Sequence, residues 1–159
     1  MNLAEEKKIV PLLNTADYSA GVSMDSINMK NYHKATIILT FGAITGDSVL
    51  KFYSGATAAA TTSELSFRYA IGGAAIASAN ADVLAATATA EAASGVTLTA
   101  ATYQNKMLVL EIDASEMDVN NAEEWLTLVL DETATAGICH AVAVLESRYS
   151  GNQSVTALA

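Results

Sequence analysis

The sequence predicts an all-β domain: an antiparallel β-sandwich or jelly roll with an extended N-terminal arm. Three observations predict it. Short segments rich in β-branched and aromatic residues alternate apolar with polar side chains, the period of a half-buried strand. Gly, Asn, Asp and Ser clusters separate them, as turns require. No segment carries a long apolar stripe at helical spacing. About seven or eight such strands with turns between them are the pattern of a sandwich, a jelly roll or a barrel.

Residues 1–8 read as a short frayed helix. The run Ile9-Val10-Pro11-Leu12-Leu13 holds the chain's one proline, and proline suits edges and irregular arms. Residues 1–21 are therefore expected to form an arm, and 22–159 a single domain. Residues 24–29 alternate as a short strand or turn. In 34–41, Ile37, Leu39 and Phe41 share one face and Thr36, Ile38 and Thr40 the other. GAITGD (42–47) turns the chain. Residues 48–54 place Leu50 and Phe52 inward and Lys51 outward. Residues 64–71 form one strand, with Leu65, Phe67, Tyr69 and Ile71 on one side. The Ala/Thr-rich stretch 74–93 is open between a short helix over 82–93, by alanine propensity, and an extended loop. Residues 96–99 read as a short strand. In 103–113 the continuous apolar run Met107-Leu108-Val109-Leu110 predicts burial on both faces. A polar connection with one helical turn follows at Ser115. The strand 124–130 is built around Trp125, 131–136 turn, and 137–149 form the last long strand. The tail is expected to pack on a neighbour.

A chain of 159 residues suits one domain, large enough to bury roughly 70% of its extended surface without metal or disulfide staples. Apolar residues make up 52% and charged residues 16%, the reverse of a disordered composition. The net charge of −9 opposes contact with nucleic acid and with anionic membranes. It also favours solubility at high concentration. No run approaches the ~20 apolar residues that span a bilayer, and no signal peptide is evident. The single cysteine, Cys139, excludes an intrachain disulfide, in keeping with folding in a reducing cytoplasm.

Candidate chemistry is sparse, and no catalytic, cofactor or metal residues are assigned. His140 adjoins Cys139, but neighbours in a strand point to opposite faces, so a thiol–imidazole pair is not expected. His33 lies near Ser23 and Asp25 without any nucleophile-elbow pattern. The acidic segment 113–124 resembles a calcium loop only in charge; methionine replaces an oxygen ligand and the central glycine is missing. Phosphate-binding glycine motifs are absent. Phe41, Phe52, Phe67 and Trp125 occupy inward strand positions. Tyr18, Tyr32 and Tyr149 lie near element ends, where a tyrosine either anchors an interface or closes the sandwich.

Several segments carry a resemblance. They are VSMDSINMKNYHK (22–34), TIILTFGAITGDSVL (36–50), the Ala/Thr loop with LSFRY (65–69), LTAATY (98–103), EWLTLVL (124–130) and YSGNQSVTA (149–157). Together they resemble small virion proteins of tailed bacteriophages, the head decoration or cement proteins. The resemblance covers most of the chain and implies a capsid-surface protein that binds the major capsid protein and stabilises the mature shell. It implies no cofactor and no catalytic residue. A head lattice offers many equivalent sites, often three-fold, so a homotrimer is the natural assembly. The arm is then a candidate contact, through Ile9, Val10, Pro11 and Leu12, with Tyr18, Tyr32 and Tyr149 as aromatic candidates. A head-fibre base, a tail component and a carbohydrate-binding module are the alternatives.

Overall fold

The computed structural model describes residues 3–131, 137–149, 151 and 155–159. A helical turn, α1 (Leu3–Glu6), precedes β1 (Lys8–Asp17), β2 (Val22–Ser23), β3 (Ile27–Asn28), β4 (Tyr32–Ile44), β5 (Ser48–Gly55), β6 (Ser63–Leu65) and β7 (Phe67–Ile71). Then come β8 (Ala88–Ala90), β9 (Val96–Leu98), the short helix α2 (Ala100–Tyr103) and β10 (Met107–Asp113). Two 3₁₀ turns, Ala114–Glu116 and Val119–Asn121, lead to β11 (Trp125–Leu130) and β12 (Gly137–Ser147).

The strands make two antiparallel sheets. The first has the order β1-β12-β4-β10-β7-β8. The second has the order β2-β11-β5-β6, with β3 also on β11 and β9 also on β5. The fold is thus the predicted all-β sandwich. Alternation dictates its interior. Ala35, Ile37, Leu39 and Phe41 of β4 point inward with Leu108, Leu110 and Ile112 of β10 and Cys139, Ala141, Ala143 and Leu145 of β12. They meet Leu50 and Phe52 of β5 and Leu126, Leu128 and Leu130 of β11. Each large side chain so buried contributes about 1.5–3 kcal/mol. Phe52 from the second sheet packs edge-on against Phe67 from the first, centroids 4.8 Å apart and planes at 82°.

Four expectations are corrected. Residues 1–21 are not an arm separate from the domain. β1 is the edge strand of the first sheet, Val10 paired with Ala143 and Pro11 with Val142, and Val10 and Leu12 enter the core. Proline is tolerated because the strand is an edge. The run 64–71 is not one strand: it breaks at Ser66, leaving β6 on β5 in the second sheet and β7 on β10 in the first. Trp125 is half-exposed, because Leu126, Leu128 and Leu130 take the inward parity of β11. The tail from 155 packs on its own chain. Ala157 is buried, its carbonyl accepts the Asn28 N–H at 2.8 Å, and Leu158 bridges to Ile27.

The stretch 74–93 resolves as loop, without a helix but with β8 within it. The expected turn at 131–136 falls, from residue 132, outside the described residues. No helix among the described residues is long and apolar enough to cross a membrane.

Candidate interaction surface

The two faces of the first sheet differ from what a solvated sheet requires. Its inward side is core. Its outward side consists of the alternate residues of five adjacent strands, and the register places these in rows. Pro11, Val142, Ile38, Val109 and Ala70 stand side by side across β1, β12, β4, β10 and β7. That row is apolar from end to end. The next row holds Ile9, Val144, Thr36, Glu111 and Arg68, and the one beyond it Glu146, Lys34 and Asp113. On the other flank lie His140, Thr40 and Met107. The two-sided burial predicted for 107–110 is therefore half met: Leu108 and Leu110 are buried, while Met107 and Val109 are half-exposed on this face.

The charges at one end of the face neutralise one another. Lys7 pairs with Glu146 at 2.8 Å, Lys34 with Glu111 at 3.0 Å and Arg68 with Asp113 at 2.5 Å. Each is part-exposed and contributes about 0–1 kcal/mol, so their main effect is on the local field. The Lys7 ammonium holds the Glu146 carboxyl below its ordinary range. At the opposite rim Asp17 stands beside Ile138. Backbone N–H groups of Ser19 and Gly137 donate to its carboxylate at 2.8 and 3.4 Å, which lowers its pKa.

The candidate interface residues separate by this geometry. Ile9 (44% exposed), Pro11 and Tyr149 (73% exposed) are accessible. Val10, Leu12, Tyr18 and Tyr32 are 3% exposed or less and lie in the core, where they close the sandwich rather than meet a partner. Val10 and Leu12 have the inward parity of β1, and the two tyrosines fill the space at strand ends. What the sequence reading missed is the outward apolar row. Its signal was present in the unbroken apolar runs of β4, β10 and β12.

Several titratable side chains elsewhere are buried or paired. Cys139 is buried under β12 while His140 points outward, as strand geometry predicted. Burial pushes the Cys139 thiol up to about 12, so it is not a thiolate nucleophile at neutral pH. The unfolded thiol ionises near 9. The stability linked to this group is therefore complete below pH 9 and falls as pH rises from 9 towards 12. Buried tyrosines whose pKa values are also raised, Tyr18 and Tyr103, add to the decline above pH 10. Native protein is expected to resist Ellman's reagent at pH 8 while the urea-unfolded chain reacts fully. Wild type should lose stability faster than Cys139→Ala between pH 9 and 11; a difference between the two that does not change with pH would refute the linkage.

His33 is exposed on β4, whereas Ser23 lies on β2 in the other sheet, so the sequence neighbours do not form one site. In the segment 113–124 the carboxylates diverge. Asp113 pairs with Arg68, Asp118 binds the side chain and backbone of Asn121, and Glu123 is buried. Ser54 and Ser63 hydroxyls donate to Glu123 at 2.5 and 3.2 Å. Among the described residues no His, Cys, Asp and Glu cluster is arranged to hold a metal. A cleft of about 160 Å³ opens between Met29, Lys30, Met117 and Arg148, and one of about 90 Å³ lies at Ala70, Leu84 and Val109. Both are smaller than the ~300–1,000 Å³ of metabolite sites.

No protein-family model matches the chain, and no curated protein matches it. Among solved structures, the crystal structure of the SPBc2 prophage-derived protein YomS aligns with a TM-score of 0.43 and 8% identity, over 87% of this chain and 92% of that one. The structure of the infectious bursal disease virus Gt strain aligns with a TM-score of 0.25 and 10% identity, over 94% of this chain and 42% of that one.

Proposed function

We propose that this chain is a capsid decoration protein of a tailed bacteriophage, which binds the major capsid protein on the outer surface of the head and stabilises the mature shell. The observation that carries the reading is the resemblance of segments spread from residue 22 to 157 to such virion proteins. The site geometry supports binding over catalysis. The thiol is buried and protonated, the buried carboxylate is held by two hydroxyls, and most of an apolar sheet face is left open by the described residues. The protein acts without a cofactor, as a homo-oligomer on the equivalent sites of the head lattice, on virions assembled in the host cytoplasm. Binding only the mature lattice stabilises it by mass action, and linked copies add avidity.

Purified protein is expected to co-sediment with stripped mature heads, saturate at a fixed copy number and raise the temperature at which they release DNA. Protein left wholly in the supernatant beside intact mature heads would defeat this reading. Gold-labelled antibody bound to tails rather than heads would move the protein to the tail. The outward position of Trp125, with Tyr53 on the neighbouring strand β5, keeps a carbohydrate-binding module as the second reading. A glycan-array hit lost in Trp125→Ala would replace decoration with it.

A further inference from the structure

We propose that the outward face of the first sheet is where a second copy of this chain docks. Three observations carry this, and none depends on the decoration reading. The first is hydrophobicity. Pro11, Val142, Ile38, Val109 and Ala70 form an apolar row across five strands. Ile9, Val144, Met107 and Ile138 extend it on both sides, with Ile9 and Ile138 each 44% exposed. Strands that read as continuous apolar runs are those covered on both faces. Among the described residues the 74–93 loop reaches this face only at its Ala70–Val109 end, through Leu84 and Thr87, and leaves the outward side of β12 and β4 open.

The second is charge. A chain of net −9 repels its own copies unless the contact is neutral. This face is nearly neutral: three of the eight basic residues pair there with three of the seventeen acidic ones, and Asp17 adds one carboxylate at the Ile138 rim. Most of the net charge therefore lies elsewhere on the surface. A strongly cationic partner would have no complement on this face, whereas a second copy presents the same balanced surface.

The third is the state of the edge. β1 is the long exposed edge of the sheet, but Pro11 and two register shifts interrupt its ladder. Such features block strand-to-strand addition, so copies meet through the face. Five strands and five rows of side chains cover roughly 500 Å² per copy. Two copies then bury about 1,000 Å², at the threshold of a specific contact and well below an obligate one. Association is expected to depend on concentration.

Sedimentation velocity on the purified chain, without heads, tests this over the micromolar to millimolar range. Wild type is expected to associate reversibly, more tightly as salt screens the acidic remainder. Val142→Lys, and Ile9→Asp at the exposed edge where folding is not at risk, should each weaken association about tenfold or more. Thr97→Glu, on the outward side of the second sheet, should leave it unchanged. Circular dichroism and thermal melting confirm that each variant is folded. A wild-type chain that sediments as one copy at every concentration overturns the proposal. So does association that survives in both folded variants, or that weakens as salt is added. Loss of head binding in variants of a single-copy protein would assign the face to another partner.

Discussion

Phe52→Ala is expected to lower the unfolding free energy by about 3–5 kcal/mol, the cost of removing a large buried ring and leaving a cavity. Phe52 is fully buried, and its ring meets Phe67 edge-on. One ring comes from each sheet, so the pair ties the two layers together. Edge-to-face geometry adds about 0.5–1.5 kcal/mol beyond area burial. Domains of this size are stable by only about 5–15 kcal/mol, so the variant should be marginal at 37 °C. Phe52→Leu keeps most of the volume and is expected to cost less than half as much. Urea unfolding of the three proteins measures both. A loss below about 1 kcal/mol for the alanine variant would show that the rings do not share the centre of the sandwich.

Much of this architecture is legible because alternation is local and side-chain size is not ambiguous in the long strands. β4 and β12 follow from their own residues: Ile37, Leu39 and Phe41, and Cys139, Ala141 and Ala143, are inward as the period requires. The failures share a cause. Alternation gives the parity of a side chain but not the sheet it belongs to. Leu65 and Phe67 both face the core, so the passage from one sheet to the other at Ser66 leaves no trace in the pattern. Trp125 is expected inward because its strand is apolar on both parities, yet the three leucines of β11 claim the inward one. Pro11 argued for an arm, yet an edge strand pairs with one neighbour only and accommodates it. The interaction face escaped for a different reason. Its apolar row combines residues from five strands between 11 and 142, and only the register brings them together.

Gly137→Ala is the second change with a large expected effect. Tyr18 donates its backbone N–H to the Gly137 carbonyl at 2.9 Å, and its ring lies over the glycine. A methyl group at 137 would fall within the ring, against Cζ and the hydroxyl oxygen. The ring is 1% exposed and rigid, so it must leave its place or push β12 away from β1. Overpacking of this kind costs about 1–3 kcal/mol and more where neither side can yield; the upper end is expected here. A double-mutant cycle isolates the cause. In a Tyr18→Ala background the same substitution should cost little, since the obstructing ring is gone. An equal cost in both backgrounds would place the strain in the β12 backbone instead.

The order in which β4 finds its neighbours sets a condition on biosynthesis. β4 pairs only with β10 and β12, and Ile37 meets Ala143 across more than a hundred residues of chain. Translation at about 5–20 residues per second leaves roughly 3–13 s between the emergence of β4 and that of β10. Through that interval the nascent chain carries an unsatisfied ladder of isoleucine and leucine. Pairing so distant in sequence is slow to form, and the first sheet cannot close until β12 has been made. Folding of the first sheet is therefore completed only after β12 has emerged, and a nascent chain stalled before β12 is the species most in need of a chaperone.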